Sequence, residues 1–290
     1  MSATGTFGIL KPATLATALL FSCLTAQSSR AVTVFSAAGG APSDIQPTVD
    51  LFRSTLGNLN PNAVGSFGSG RREINWDGVP DAFAAPNNFP ANFFNMNSPR
   101  GAVFSTPGTG FQVSANAASG VPVEFGNINA SYPGLFETFS PQRLFAALSS
   151  NVFDVNFFVP GSNTPALTRG FGAVFTDVDL PDVTSMQFFG ANDQLLGTFL
   201  VPPASSFAPN ETLSFLGVDF GLPTIAMVRI IAGSAAFGPS EAGPIDLVAL
   251  DDFVYGEPVP SPVPLPAAAP MFAAAVLGAG LLRWRRKVRT

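Results

Sequence analysis

Carboxylates are the one chemical resource this 290-residue sequence holds in quantity: nineteen Asp and Glu, against no histidine and a single cysteine, Cys23. A chain without histidine has no Ser/His/Asp triad, Cys/His dyad or His-ligated zinc, and one cysteine closes no internal disulfide. What remains is chemistry that oxygen alone can do. Asp177-Val178-Asp179-Leu180-Pro181-Asp182 sets two acids on one face of a strand end, and Asp246, Asp251 and Asp252 add more near the last strand. Calcium takes six to eight oxygen ligands and needs no histidine, so Asp177, Asp179, Asp246, Asp251 and Asp252 are candidate calcium ligands, set against solvated acids or turn caps. In an alternating strand one of the Asp251-Asp252 pair must face the core side. A buried aspartate then needs a cation, an arginine or backbone N–H groups, and Arg71, Arg72, Arg229 or a calcium ion would serve.

Two carboxylates about 5 to 10 Å apart would also suffice for glycoside hydrolysis. Glu73, Glu124, Glu137 and Glu211 are available, but no local motif singles out a pair, so the chain is expected not to be an enzyme. Trp76, Tyr132 and Tyr255 are candidate carbohydrate contacts, because a sugar platform uses Trp or Tyr; the 29 phenylalanines suit a core. Gly65-Ser66-Phe67-Gly68-Ser69-Gly70 lacks the lysine and following helix of a phosphate loop and is expected to be a flexible loop. Seven of the fourteen basic residues lie in the terminal segments. The middle therefore holds seven arginines against all nineteen acids, a balance that repels phosphate backbones and disfavours a nucleic-acid partner.

These groups must be positioned by short strands. Residues 72–76, 102–105, 110–114, 122–125, 151–159, 171–178, 184–189, 195–201, 213–218, 225–231 and 247–255 each fit a strand between turn residues, with clean alternation in Phe153/Val155/Phe157 and Phe171/Ala173/Phe175. Gly190-Ala191-Asn192-Asp193 reads as a hairpin connection. Ile45, Val49, Phe52 and Leu56, spaced four, three and four apart, predict one short N-terminal helix that Gly57 stops. A second helix is expected over Pro141 to Leu148, capped by Ser140. The fold class is all-β: a jelly-roll-like β-sandwich ectodomain over 71–256, preceded by a segment over 32–70 with the helix and a loop.

The two ends have a different character. Lys11, an apolar run from Ala13 to Leu24 and the small-residue site at Ala31 make residues 1–31 a secretory signal peptide. A Pro-rich linker spans 257–266. Residues 267–290 carry a hydrophobic helix, Ala267 to Leu282, about 24 Å long and marginal for a 30 Å bilayer core, followed by Arg283, Arg285, Arg286 and Lys287.

Val263, Pro264, Leu265, Pro266 and Ala267, the short helix and the arginine cluster together resemble the PEP-CTERM sorting signal in its VPLPA variant. Pro270 in the first helical turn and Trp284 among the arginines depart from that pattern. The resemblance covers about 28 residues. It implies a Gram-negative bacterial protein exported through the Sec translocon, held transiently in the inner membrane, and processed by an exosortase-type enzyme to a cell-surface or extracellular form linked to exopolysaccharide or biofilm. Arg71 to Asp77 and Leu250 to Tyr255 resemble stretches of the uncharacterised ectodomains that precede such signals, and the closing strand resembles that of lectin-like jelly rolls.

The expectation is thus an extracellular-matrix protein with a structural or adhesive role. A calcium-stabilised carbohydrate-binding module that contacts extracellular polysaccharide is the alternative, and a carboxylate-based glycan hydrolase is a third. Export and sorting predict that the mature protein from its native host has lost residues at both ends. Intact-mass measurement checks this, and a full-length cytosolic copy would overturn it.

Overall fold

The alternating segments pair into antiparallel sheets. The computed structural model describes residues 31–238, 240–241 and 244–261. In chain order the strands are β1 (Thr33–Gly39), β2 (Arg71–Ile74), β3 (Ala102–Ser105), β4 (Gly110–Val113), β5 (Phe145–Leu148), β6 (Val152–Phe157), β7 (Ala166–Leu167), β8 (Gly170–Thr176), β9 (Ser185–Phe189), β10 (Leu195–Leu200), β11 (Leu213–Asp219), β12 (Met227–Ile231), β13 (Ala249–Gly256) and β14 (Val259–Pro260). One sheet runs β1-β11-β8-β13-β5-β4 with β2 also on β13; the second runs β10-β9-β12-β6-β3; β14 and β7 form a small ribbon. The described body is a β-sandwich.

Side chains from both sheets interdigitate in one core. Phe171, Ala173 and Phe175 of β8 and Phe253 and Tyr255 of β13 meet Phe153, Val155 and Phe157 of β6 and Phe188 of β9. The outer face of the larger sheet is not left to solvent. Helix α1 (Pro42–Leu56) lies on it, burying Ile45, Val49, Phe52 and Leu56 against Val174, Leu213, Phe215 and Val254. Its start is held by the Asp44 carboxylate, which accepts the Ala41 N–H at 3.0 Å. With both faces covered, β8, β11 and β13 are buried at every position. Gly172 and Gly217 are register partners on β8 and β11. A Cβ on either would come within 2.9 Å of the Phe52 ring, so the pair forms the notch that seats α1.

Most expected strands are present within a residue or two, as is the 190–193 connection, where Asn192 and Asp193 take left-handed φ values. Two expectations are corrected. Residues 141–148 are not a helix: Phe145–Leu148 pairs with β4 and β13, because its run of buried residues suits a strand covered on both faces. The Ser140 hydroxyl is spent on Asp251 and Asp252 instead of a helix N-terminus, while Asp77 accepts the N–H groups of Gln142 and Arg143. Residues 122–125 turn instead of extending, with Glu124 and Phe125 at φ 49° and 61°. Thr33–Gly39, without a strict polar alternation, is nonetheless an edge strand on β11. Among the described residues no helix is long and apolar enough to cross a membrane; the expected sorting segment, with Val263, Pro264, Leu265, Pro266, Ala267, Arg283, Arg285, Arg286 and Lys287, lies outside them, as does the expected signal peptide up to residue 30.

Phe52→Ala should cost about 3–5 kcal/mol, the usual cost of emptying a buried Phe site. Urea denaturation checks it; a loss below about 1 kcal/mol would mean that α1 is not docked in the glycine notch.

Candidate cation site

Where β8 ends, the chain turns sharply. Asp177 takes φ 67° and donates its N–H to the Thr212 carbonyl at 2.9 Å, and Val178 plugs into the sandwich core. Asp177 thus carries a carboxylate with 0 % exposure. From the other side comes the segment that leads into β13. Asp246 accepts the N–H groups of Asp179 and Leu180 at 3.3 and 3.2 Å, which ties the two segments together. Ser234 and Asp246 exchange two further bonds, from the Ser234 N–H to the Asp246 carbonyl and from the Asp246 N–H to the Ser234 hydroxyl. This contact requires Gly233, since a Cβ there would lie 2.2 Å from the Asp246 carbonyl oxygen, and φ is +66°. Glu241 is oriented by the Leu247 N–H, 2.9 Å from its Oε1.

The result is a group of oxygens with too few protons. Asp177, Asp179 and Glu241 each present a carboxylate oxygen within 4.8 Å of the others. Both Asp177 oxygens, Asp179 Oδ1 and the Thr212 hydroxyl oxygen are buried with no N–H or hydroxyl donor on them. Among the described residues no arginine answers them. Arg53, Arg71, Arg72, Arg143, Arg169 and Arg229 pair with other carboxylates, respectively Asp252 and Glu73, Glu73, Glu257, Asp81, Asp219 and Asp154. Burial, then the charges of Glu241 and Asp179, a proton shared with the Glu241 carboxylate and the charge of Asp246, pushes the Asp177 carboxyl up to about 9. Burial raises Asp179 and Glu241 as well, and raises Asp246 to about 6 against the lowering effect of its two N–H donors. Such a set must hold protons or a hard cation. Oxygens on opposite sides of a calcium ion sit about 4.6–5.2 Å apart, so the spacing fits three ligands of one calcium shell.

Of the residues singled out in the sequence, Asp177, Asp179 and Asp246 come together here; Glu241 and Thr212 join them unannounced. Glu241 sits in a Gly- and Pro-flanked loop with no periodicity, five residues before Asp246, and only the fold returns it to the end of β8. Asp251 and Asp252 do not belong to the site. They sit at a β-bulge in β13, where the register to β8 shifts between Leu250 and Phe253, and both are buried. Asp251 accepts the N–H groups of Phe139 and Ser140 at 2.7 and 3.1 Å; Asp252 accepts the Ser140 hydroxyl at 2.7 Å and Arg53 at 3.0 Å. Their partners are Arg53, the Ser140 hydroxyl and backbone N–H groups, and not Arg71, Arg72 or Arg229. Burial holds the Asp251 carboxyl well above the ordinary range, with Asp252 adding to the effect.

The three aromatic candidates are corrected too. Trp76, Tyr132 and Tyr255 are 1 %, 0 % and 0 % exposed, so none offers a face to a sugar. Trp76 stacks on Phe145 at 4.1 Å and donates its indole N–H to the Asp251 carbonyl; Tyr255 donates to the Arg100 carbonyl; Tyr132 accepts the Gly238 N–H. Glu73 stands apart on Arg53 and Arg71. Glu124, Glu137 and Glu211 do influence one another: burial and the other two charges push Glu124 up to about 7.

No family model matches the chain, and no curated protein matches it. Among solved structures, a crystal structure of a glycoside hydrolase family 43 arabinoxylan arabinofuranohydrolase from Bacillus subtilis in complex with cellotetraose is similar at 14 % identity, over 54 % of this chain and 27 % of that one, with a TM-score of 0.26. A likeness that slight carries no argument about this chain.

The raised carboxyls fix the sign of a pH effect. A group whose folded pKa is raised holds a proton that the unfolded chain releases, so stability falls as pH rises from about 4 towards 9. Melting temperature in chelator should therefore fall steadily between pH 5 and pH 9; a flat or rising profile would contradict the buried cluster.

Proposed function

We propose that this chain is an exported, non-enzymatic β-sandwich of jelly-roll type whose ectodomain is completed by calcium and serves a structural or adhesive role in an exopolysaccharide- or biofilm-linked matrix. The observation that carries the calcium part is Asp177: a carboxylate at full burial, flanked by Asp179 and Glu241, with no N–H or hydroxyl donor on either oxygen and no arginine beside it among the described residues. A buried uncompensated charge costs several kcal/mol, and a divalent cation removes that cost in one step. Extracellular calcium modules work at about 0.1–1 mM affinity, which matches a protein that meets the ion only after crossing the inner membrane.

Export rests on the sequence features of the two ends: a secretory signal for the Sec translocon, and a PEP-CTERM-like tail for transient inner-membrane residence and exosortase-type processing. The non-enzyme assignment is supported by Glu73 being engaged by two arginines. Of the carbohydrate-binding alternative, the calcium-stabilised scaffold survives, while its aromatic platform does not.

Calcium at one hundred times its Kd should add about 2.7 kcal/mol, which is roughly 5–10 °C in Tm for a domain of this size, and chelator should reverse it. Asp177→Asn should abolish the shift while melting about as the wild type does in chelator, because the amide replaces a carboxyl that burial already keeps from ionising. Absence of any calcium shift in the wild-type protein would overturn the proposal.

A further inference from the structure

Away from the acidic cluster, the arginine inventory leaves one remainder. Among the described residues, Arg100 is the arginine that forms no ion pair. Its Nε is buried without a partner, one terminal nitrogen donates to the Ser98 hydroxyl at 2.6 Å, and its guanidinium carbon lies 4.7 Å from the centre of the Phe94 ring. Burial and nearby Arg72 both disfavour its charge, so an anion brought to it would relieve a standing cost.

Arg100 also lies where two cavities join. A cavity of about 400 Å³ runs between α1, β2 and Asp252, and one of about 240 Å³ runs along Asn75, Val79 and Phe93; Asn75 and Arg100 line both. The larger cavity is rich in neutral amides, Gln46, Asn60, Asn62 and Asn75. Those of Asn62 and Asn75 have no hydrogen-bonded protein partner among the described residues, and both residues are exposed. The smaller cavity has an apolar wall from Val79, Pro80, Phe93 and Phe94.

The segment that carries Arg100 is fixed in place. Arg72 donates to the Pro99 carbonyl at 3.0 Å, and Tyr255 donates to the Arg100 carbonyl at 3.1 Å. Gly101 has φ +80°, and a Cβ there would lie 2.3 Å from the Phe158 carbonyl oxygen. The buried pair Arg72–Glu257 and the buried Tyr255 thus hold an unpaired cation at the junction of two open cavities. Preorganisation of this kind favours binding.

We propose that this joined cleft binds an acidic glycan, with the carboxylate of one uronic acid unit on Arg100, its hydroxyls on the amides of Asn62 and Asn75, and a sugar ring beside the exposed Pro80. A single arginine fork matches one carboxylate, and neutral amides match hydroxyls. A densely charged polyphosphate fits less well, because the body around the cleft carries twelve more acids than bases. The proposal deepens the matrix role by naming a ligand class, yet it does not use the calcium site.

The test is calorimetric titration of the full-length chain in mild detergent with trigalacturonate, with maltotriose as the neutral control, in chelator so that calcium bridging plays no part. The wild type should bind trigalacturonate at least tenfold more tightly than maltotriose, and Arg100→Gln should lose at least tenfold while Arg100→Lys keeps part of the affinity. Asn75→Ala, at an exposed position, should weaken binding several-fold and decides the matter if the Arg100 variants fail to fold. Equal binding of both trisaccharides, no effect of Arg100→Gln or Asn75→Ala, or preferential binding of inorganic phosphate or a peptide carboxylate would overturn it. Failure here with an intact calcium shift in Tm would reject the cleft alone; the converse would reject the calcium site alone.

Discussion

β13 is the strand on which every other part of the molecule leans. It pairs with β8, β5 and β2, and its eight residues are all buried. Successive side chains enter different cores: Leu250, Phe253 and Tyr255 the sandwich interior, Val254 the layer under α1, and Ala249 the cluster around Phe125 and Phe136. A strand wedged between layers in this way has no solvent-facing position for a polar residue, yet it carries Asp251 and Asp252. The bulge resolves the conflict, because the extra residue lets both carboxylates reach Ser140, the Phe139 N–H and Arg53 without displacing Leu250 or Phe253.

The same strand organises the two chemically active regions. The segment entering it brings Asp246 and Glu241 to the end of β8, and its far end carries Tyr255, whose hydroxyl fixes the Arg100 segment. Among the described residues seven arginines must serve nineteen acids, and six of them are drawn into pairs that lock α1, β2 and the loops. The carboxylates around Asp177 are left to hydrogen-bond donors, protons or a cation. Among the described residues the charge distribution is therefore uneven, with an acidic cluster that no arginine neutralises and one arginine that no carboxylate pairs with.

Burial decided which sequence candidates kept a chemical role. The indole of Trp76 and the phenols of Tyr132 and Tyr255 had the right chemistry for a sugar face, but a Phe-rich sandwich needs large rings with a polar tip where its core meets backbone, and it took them. Phe139 and Ser140 show the same competition. Their N–H groups, needed by Asp251, were committed to a buried carboxylate, and the helix expected from Ser140-Pro141 did not form.

Local pattern alone determined the strands from Val152 to Tyr255, the helix over Ile45 to Leu56 and the hairpin at Asn192, because period-two and period-3.6 burial and left-handed turn residues are properties of neighbours in the chain. It also determined that only oxygen ligands are available for a metal, and that Asp177 and Asp179 belong together. Which distant groups would meet them was a matter for the tertiary structure. Glu241 and Thr212 reach Asp177 through a loop and a neighbouring strand, Arg53 reaches Asp252 across 199 residues, and Arg100 stays unpaired because every nearby carboxylate is already held by another arginine. Pairing among scarce charges is a property of the whole packed assembly, so no window of sequence contains it.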